Sequence, residues 1–92
     1  MPVVYIPNIF SPDGDGLNDY FEIFSSNPHF YLEEMILFNR WGQKLYEGRG
    51  NDSKWDGKFH GEYQPIGVYV LLLKYKLYNS IRLHSGGVTL VR

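Results

Sequence analysis

The residues with the clearest potential for chemistry form an acidic, glycine-containing loop between two apolar runs near the start of the chain. When the twelve-position register of a calcium-binding loop begins at Ser11, oxygen-bearing residues fall on most of the ligand positions. Oxygen ligands two residues apart on a tightly curled backbone can converge on one hard cation. The candidate calcium ligands are Ser11, Asp13, Asp15, the backbone carbonyl of Leu17, Asp19 and Glu22.

The glycines of this loop fit a calcium site, but they also fit a metal-free turn. Gly16 falls at the sharp-turn position, and Gly14 adds a second position at which left-handed dihedrals cost little. Position 1 departs from the calcium pattern because it holds Ser11 where Asp is usual. Asp and Asn side chains also cap backbone amides in surface turns, where Asp-Gly pairs are common. Calcium is therefore the candidate cofactor, and a turn without metal is the alternative.

The rest of the chain shows no pattern typical of an enzyme. His29, His60 and His84 are too far apart along the chain to form a preorganised zinc site by local spacing. The serines lack a nucleophile elbow or a glycine-rich oxyanion loop, and the chain has no cysteine. The sequence therefore predicts a protein without catalytic activity.

Length and charge limit the other functional classes. The chain has 92 residues, which is the size of one small domain, and its net charge is −1 with Lys and Arg spread thinly. Nothing in it is typical of the basic stripe that binds a phosphate backbone, so we expect no nucleic-acid partner. The longest apolar run, residues 68–73, is far shorter than the roughly 20 residues that span a bilayer. We expect a monomer with no membrane-spanning segment.

Short apolar runs separated by turn residues predict an all-β fold. About seven strands, with turn signals near every ten residues, indicate an antiparallel two-sheet sandwich. Residues 20–24 are expected to form one strand, with Phe21 and Ile23 on the same face. A hairpin is expected from residues 32–39 and 43–47 around the turn at 39–42. In its first strand, adjacent Glu33 and Glu34 should face opposite sides of the sheet.

The longest predicted strand covers residues 68–77. Its odd positions are all apolar, and its even positions begin with Val68, Val70 and Leu72 before changing to lysine. This pattern predicts a central strand that is buried on both faces in its first half. Further on, Gly86 and Gly87 are expected to form a bulge or bend before the last strand.

Four motifs, in the same order along the chain, resemble the gliding-motility-associated C-terminal domain, which is the type B sorting domain of the type IX secretion system. The first is residues 6–19, which include the acidic loop; Asp13 stands there where the family more often has Asn. The others are residues 38–47, residues 55–57 with 65–69, and the chain end at 87–92. The third motif also resembles immunoglobulin-like domains of flagellar hook-capping proteins.

This resemblance implies an immunoglobulin-like β-sandwich and two further sets of functional residues. The expected sorting signal is the last motif, Gly87, Val88, Thr89, Leu90, Val91 and Arg92. The expected structural positions are Asn8, Pro12, Gly14, Gly16, Asn18, Trp41, Gly42, Trp55, Asp56, Gly57, Gly67 and Tyr69.

The resemblance also implies a function. Residues 1–92 would be a single C-terminal sorting domain, excised from a larger secreted protein, that directs its passenger across the outer membrane to the cell surface or medium. Its partners would be the type IX machinery and a dedicated outer-membrane protein. The alternative is a carbohydrate- or protein-binding module of an adhesin or polysaccharide-degrading protein, using exposed rings such as Trp41, Trp55, Tyr63 and Tyr78.

Overall fold

The protein is described here by a computed structural model that covers residues 4–12 and 19–91. These residues form strands and turns and no helix, which confirms the all-β prediction. The strands are β1 (Val4–Tyr5), β2 (Ile9–Phe10), β3 (Phe21–Glu22), β4 (Phe24–Ser25), β5 (Phe30–Phe38), β6 (Lys44–Gly48), β7 (Lys54–Trp55), β8 (Lys58–Phe59), β9 (Glu62–Tyr63), β10 (Gly67–Leu77) and β11 (Ser80–Leu90).

A five-stranded sheet in the order β2-β11-β10-β5-β6 dominates the fold. β10 and β11 form a hairpin across the two-residue turn of Tyr78 and Asn79, and β5 and β6 form a second hairpin as predicted. All these pairs are antiparallel, but β2 runs parallel to the end of β11. The predicted antiparallel arrangement is therefore confirmed except at this one edge, where two distant parts of the chain meet.

Three two-stranded sheets, β1-β4, β3-β7 and β8-β9, complete the β-sandwich. They explain why eleven strands, several of only two residues, appear among the described residues instead of about seven. The run around Ile23 was expected to be one strand, but β3 before it pairs with β7 and β4 after it pairs with β1. The predicted alternation survives this change of partner, since Phe21 and Ile23 are both buried.

The core lies on one face of the large sheet, which we call its inner face. Alternate residues of β10 supply much of it, and the short strands contribute Phe21 and Trp55 from the opposite layer. The largest side chains with almost no exposed surface are Trp55, Phe21, Leu32, Met35, Leu37, Leu71, Leu90 and Val88. Burial of these apolar groups is the main source of stability in a domain of this size.

The opposite, outer face of β10 is open to solvent. Val68 is 61 % exposed, and Val70 and Leu72 are also exposed, so the expectation of burial on both faces is wrong. β10 is central because β5 and β11 flank it within the sheet. Those neighbours bury the backbone of β10 but do not cover the side chains on its outer face.

A bulge in β5 changes which of its residues face the core. Glu34 lies opposite Lys74 and Leu32 lies opposite Tyr75, so Glu33 is the extra residue. Leu32 and Met35 are consequently both buried, although three positions separate them. Glu33 and Glu34 lie between these inward residues, so the prediction that they face opposite sides is wrong.

In β11, by contrast, the bulge predicted at Gly86 and Gly87 does not occur. β11 keeps an uninterrupted register with β10 along its full length, with Gly86 opposite Leu71 and Gly87 opposite Val70. The glycines instead leave this part of the strand without bulky side chains.

Beyond the end of β6, the side chain of Asn51 takes the place of a neighbouring strand on β5. Its carboxamide oxygen accepts a hydrogen bond from the Leu32 amide at 2.7 Å. Its Nδ2 donates to the Phe30 carbonyl at 3.1 Å, and the Gly50 amide donates to the Leu32 carbonyl at 2.9 Å. The backbone of β5 is thereby satisfied at the edge that β6 leaves uncovered.

Replacement of this amide should cost more than its exposed position suggests. Asn51→Ala leaves two partly buried backbone groups of β5 without their partners, so we expect a loss of about 1–3 kcal/mol in the free energy of unfolding. Asp52→Ala, at the exposed neighbouring position, should stay within about 0.5 kcal/mol. Urea denaturation of both variants measures the difference, and equal stabilities would contradict the assigned role of Asn51.

Candidate functional site

The first and last motifs of the chain are neighbours in the large sheet. Ile9 lies opposite Thr89, and Phe10 lies opposite Leu90. The Thr89 amide donates to the Asn8 carbonyl at 2.9 Å, and the Val91 amide donates to the Phe10 carbonyl at 3.0 Å. We call this pairing of residues 8–10 with residues 89–91 the terminal junction.

The alternation of side chains explains how the terminal junction is held. Phe10 and Leu90 point into the core and are buried, whereas Ile9 is exposed on the outer face and Thr89 is partly exposed. Pro7 precedes β2 and has no amide hydrogen, so it cannot donate to a continued ladder. The parallel pairing is therefore short, and the core contacts of its inward side chains must supply most of its stability.

The third motif packs directly beneath the terminal junction. The ring centroid of Trp55 lies 5.5 Å from that of Phe10 and 5.5 Å from that of Tyr69. The Trp55 indole N–H donates to the Lys58 carbonyl at 2.9 Å, and the Tyr69 hydroxyl donates to the Pro65 carbonyl. The Asp56 carboxylate accepts from the Lys58 amide at 3.0 Å, which fixes the turn after Trp55.

Gly57, in this turn, lies close to residues of both the first and the last motif. Its φ is +81°, in the region that favours glycine. A Cβ at this position would lie 3.0 Å from Cγ of the buried Pro12 and 3.3 Å from Cδ1 of Leu90. The third motif therefore contacts the first and the last at one glycine.

The expected sorting signal is largely built into the sheet. Val88 and Leu90 are buried, Thr89 and Val91 are partly buried, and Gly87 is exposed. Arg92 lies outside the described residues. Through Val91, then, the motif at the chain end is a structured strand and presents few side chains to a partner.

The structure places two candidate calcium ligands in one cleft. Asp19 and Glu22 both line a cleft of about 370 Å³ beside β2, while the partly buried Ser11 lies outside that lining. Glu22 also has a basic residue, Lys54, as its cross-strand partner. The remaining loop positions lie outside the described residues, namely Asp13, Gly14, Asp15, Gly16, Leu17 and Asn18.

Within residues 4–12 and 19–91, no three Asp, Glu, His or Cys side chains are grouped closely enough to hold a metal ion. A complete calcium site would therefore need the acidic residues at 13 and 15. The carboxylate oxygens of Asp19 and Glu22 are donors that suit a hard cation. The calcium site stays a prediction.

The second motif forms the turn between β5 and β6. The Gly42 amide donates to the Asn39 carbonyl at 3.0 Å, and the φ of Gly42 is +85°, as expected for this tight turn. Trp41 is 79 % exposed and does not pack into the core, although the resemblance implied a structural position. It lines a groove of about 850 Å³ that extends to Gly67 at the start of β10.

Two contributions to the site could not be found from sequence spacing. Pro12 is buried against the turn of Gly57, and β2 pairs in parallel with the chain end. The only signal for either was the order of the motifs, which showed that they belong together without showing their contacts.

The site thus belongs to an all-β domain whose end motifs are joined in one sheet and share one aromatic support. The family model described as CHU_C Type IX secretion signal domain matches residues 4–90. The chain therefore belongs to the type IX secretion signal domain family, which confirms the resemblance found in its motifs. Neither the comparison with curated proteins nor that with solved structures gives a match.

Family membership links the domain to the type IX secretion machinery and to export across the outer membrane. In the part of the chain that the structure describes, no helix has the length and apolar character needed to cross a membrane.

Calcium should raise the melting temperature if the acidic loop binds it. Binding to the folded state alone at a hundredfold excess over Kd stabilises by about 2.7 kcal/mol. For a domain of this size we expect a rise of about 10 to 20 °C between chelator and millimolar calcium. Asp15→Ala should abolish the rise and Asp52→Ala should preserve it, whereas identical melting curves for the unaltered protein would exclude a tight site.

The close contact at Gly57 can be separated from backbone strain with a matched glycine. Gly61 has nearly the same φ, +82°, but nothing lies within 4 Å of the position that its Cβ would occupy. Both Gly57→Ala and Gly61→Ala carry the strain, and only the former presses on Pro12 and Leu90. We expect Gly57→Ala to be less stable than Gly61→Ala by at least about 1 kcal/mol in chemical denaturation. Equal losses would mean that strain alone selects glycine at position 57.

Proposed function

We propose that this domain is a non-catalytic sorting signal that directs the protein attached to it through the type IX secretion system to the cell surface or medium. The observation that carries the proposal is the family match over residues 4–90, which includes both strands of the terminal junction. The match therefore extends over the folded unit and is not confined to a short tail.

The burial of the chain end suggests that the machinery recognises a folded surface. Val88 and Leu90 are fully buried, so their side chains cannot be read unless the sheet opens. Ile9 is exposed beside them on the outer face of the terminal junction. A dedicated outer-membrane partner would contact such exposed groups together with the neighbouring loop.

The positions of the histidines support a non-catalytic role. His29 stacks on Tyr78 with ring centroids 4.7 Å apart, and His60 packs edge-on against Phe59 at 4.1 Å. His84 lies on β11. These side chains occupy separate elements, and ring stacking accounts for the first two.

A folded signal should export a reporter only as a whole domain. We expect residues 1–92, fused to the C-terminus of a reporter with an inner-membrane export signal, to carry it to the surface or medium of a bacterium with type IX machinery. Residues 79–92 alone should leave the reporter in the periplasm. Leu90→Asp, which places a charge in the core, should also abolish export because it unfolds the domain. Reporter activity in each cell fraction measures the outcome.

The terminal side chain needs a variant that does not disturb the fold. Arg92→Ala should leave the melting temperature unchanged, as surface substitutions usually do, while lowering export if that side chain is read. Export by residues 79–92 alone would show that the signal is linear. If the intact domain melts cooperatively but leaves the reporter in the periplasm even with its outer-membrane partner present, the sorting role fails. The binding-module alternative would then apply, with the groove beside Trp41 as its first candidate surface.

A further inference from the structure

In the part of the chain that the structure describes, one long stretch of β11 has no neighbouring strand on the edge that faces away from β10. β11 pairs with β10 from Ser80 to Leu90, and within residues 4–12 and 19–91 its other edge is covered by β2 at Thr89 and Leu90 alone. Among the described residues, the edge of β11 before the terminal junction, residues 80–87, is therefore open. We call residues 80–87 the open edge.

The hairpin register shows which backbone groups face outward there. The turn between β10 and β11 contains two residues, which makes Leu77 and Ser80 a hydrogen-bonded pair. Alternation then directs the amides and carbonyls of Ile81, Leu83, Ser85 and Gly87 to the open edge. The same alternation reaches Thr89, whose amide does donate outward to Asn8.

The opposite edge of the sheet is protected, which makes the open edge distinctive. On β6 the Lys44 ammonium lies 2.7 Å from the Glu47 carboxylate, donates a hydrogen bond to it and lowers the pKa of Glu47 below its usual value. Where β6 ends, the carboxamide of Asn51 closes the edge of β5. Charged side chains and covering loops are common protections against edge pairing.

The open edge instead presents apolar side chains on the outer face. Leu83 is 79 % exposed, and Ile81 is also exposed. Next to them is a groove of about 370 Å³ whose lining includes the apolar Ile36, Leu72 and Leu83, the small Ser85 of β11, and the charged Glu34 and Lys74. An apolar side chain on an added strand, opposite Leu83 or Ser85, would reach this groove.

Charge determines what kind of strand fits. β10 and β11 contain Lys74, Lys76 and Arg82 and no acidic residue, although the chain has a net charge of −1. Glu34 lies opposite Lys74, but its carboxylate is also 3.6 Å from Arg49. Two copies of this hairpin would bring like charges together, whereas an acidic strand would be attracted.

We propose that the open edge binds an extended segment of a partner protein by β-strand addition, and that this segment alternates apolar and acidic side chains. Residues opposite each other on paired strands project from the same face of the sheet. The apolar side chains would therefore lie beside Leu83 on the outer face, and the carboxylates would lie beside Arg82 on the other face. This interaction requires only the folded domain, so it does not depend on the sorting role.

Binding of short synthetic strands tests the proposal in solution. Fluorescence anisotropy with a peptide that alternates valine and glutamate should show saturable binding to the folded domain. A peptide of the same length that alternates valine and lysine should bind at least about tenfold more weakly. Arg82→Glu should reverse this preference, whereas Arg40→Glu, at the turn between β5 and β6, should leave it unchanged.

A second pair of variants tests the backbone contacts. Leu83→Pro removes an outward amide but no hydrogen bond to β10, and proline is tolerated on edge strands. It should abolish peptide binding while the domain remains folded, whereas Leu83→Ala keeps the amide and should only weaken binding. If Leu83→Pro unfolds the domain, the peptide preference of the Arg82→Glu variant tests the proposal in its place.

Equal binding of the two peptides, or an unchanged preference in Arg82→Glu, would overturn the proposal. Binding that survives in folded Leu83→Pro would also overturn it. A concentration-dependent dimer in sedimentation that Leu83→Pro disrupts would show instead that the open edge pairs with a second copy.

Discussion

The structure depends on the pairing of β2 with the end of β11 over Trp55. Backbone hydrogen bonds from Thr89 and Val91 help to join the strands, but such a short parallel ladder contributes little without packing. Phe10 and Leu90 provide that packing from the two strands, and the Trp55 ring lies 5.5 Å from Phe10 beneath them. At Gly57, a Cβ would fit between the turn and these strands only if Pro12 or Leu90 moved.

This arrangement gives the two halves of β11 different properties. Its last residues are covered by β2 and are buried on the inner face, so their sequence is constrained by the fold. Its first residues are exposed on both faces, and one of their edges has no partner strand among residues 4–12 and 19–91. The hydrogen-bonding groups on that edge are directed outward. Because the end motif is part of the core, it has its native form only after the domain has folded.

Local patterns predicted the strands well but not their surroundings. Alternation at Phe21 and Ile23 and along β10 identified the inward residues, and Gly42 identified the tight turn. Periodicity records which side chains share a face, but it cannot show whether another layer covers that face, and Val68 was misjudged for this reason. The strand partners of Ile23, the contacts of Asn51 and the meeting of Pro12 with Gly57 are all nonlocal. The candidate site could therefore be predicted as a set of motifs, and only the tertiary structure shows how they meet.

The most direct test of this account is native-state hydrogen exchange at the amides of Thr89 and Val91. Both amides donate to carbonyls of the first motif, so they should exchange only through large openings of the domain. The protection factor of the Thr89 amide should approach that of the core amide of Leu71. The protection factor of the Val91 amide, near the chain end, should be somewhat lower. Exchange of Thr89 at the rate of an unstructured peptide, while Leu71 stays protected, would contradict the pairing of the first and last motifs.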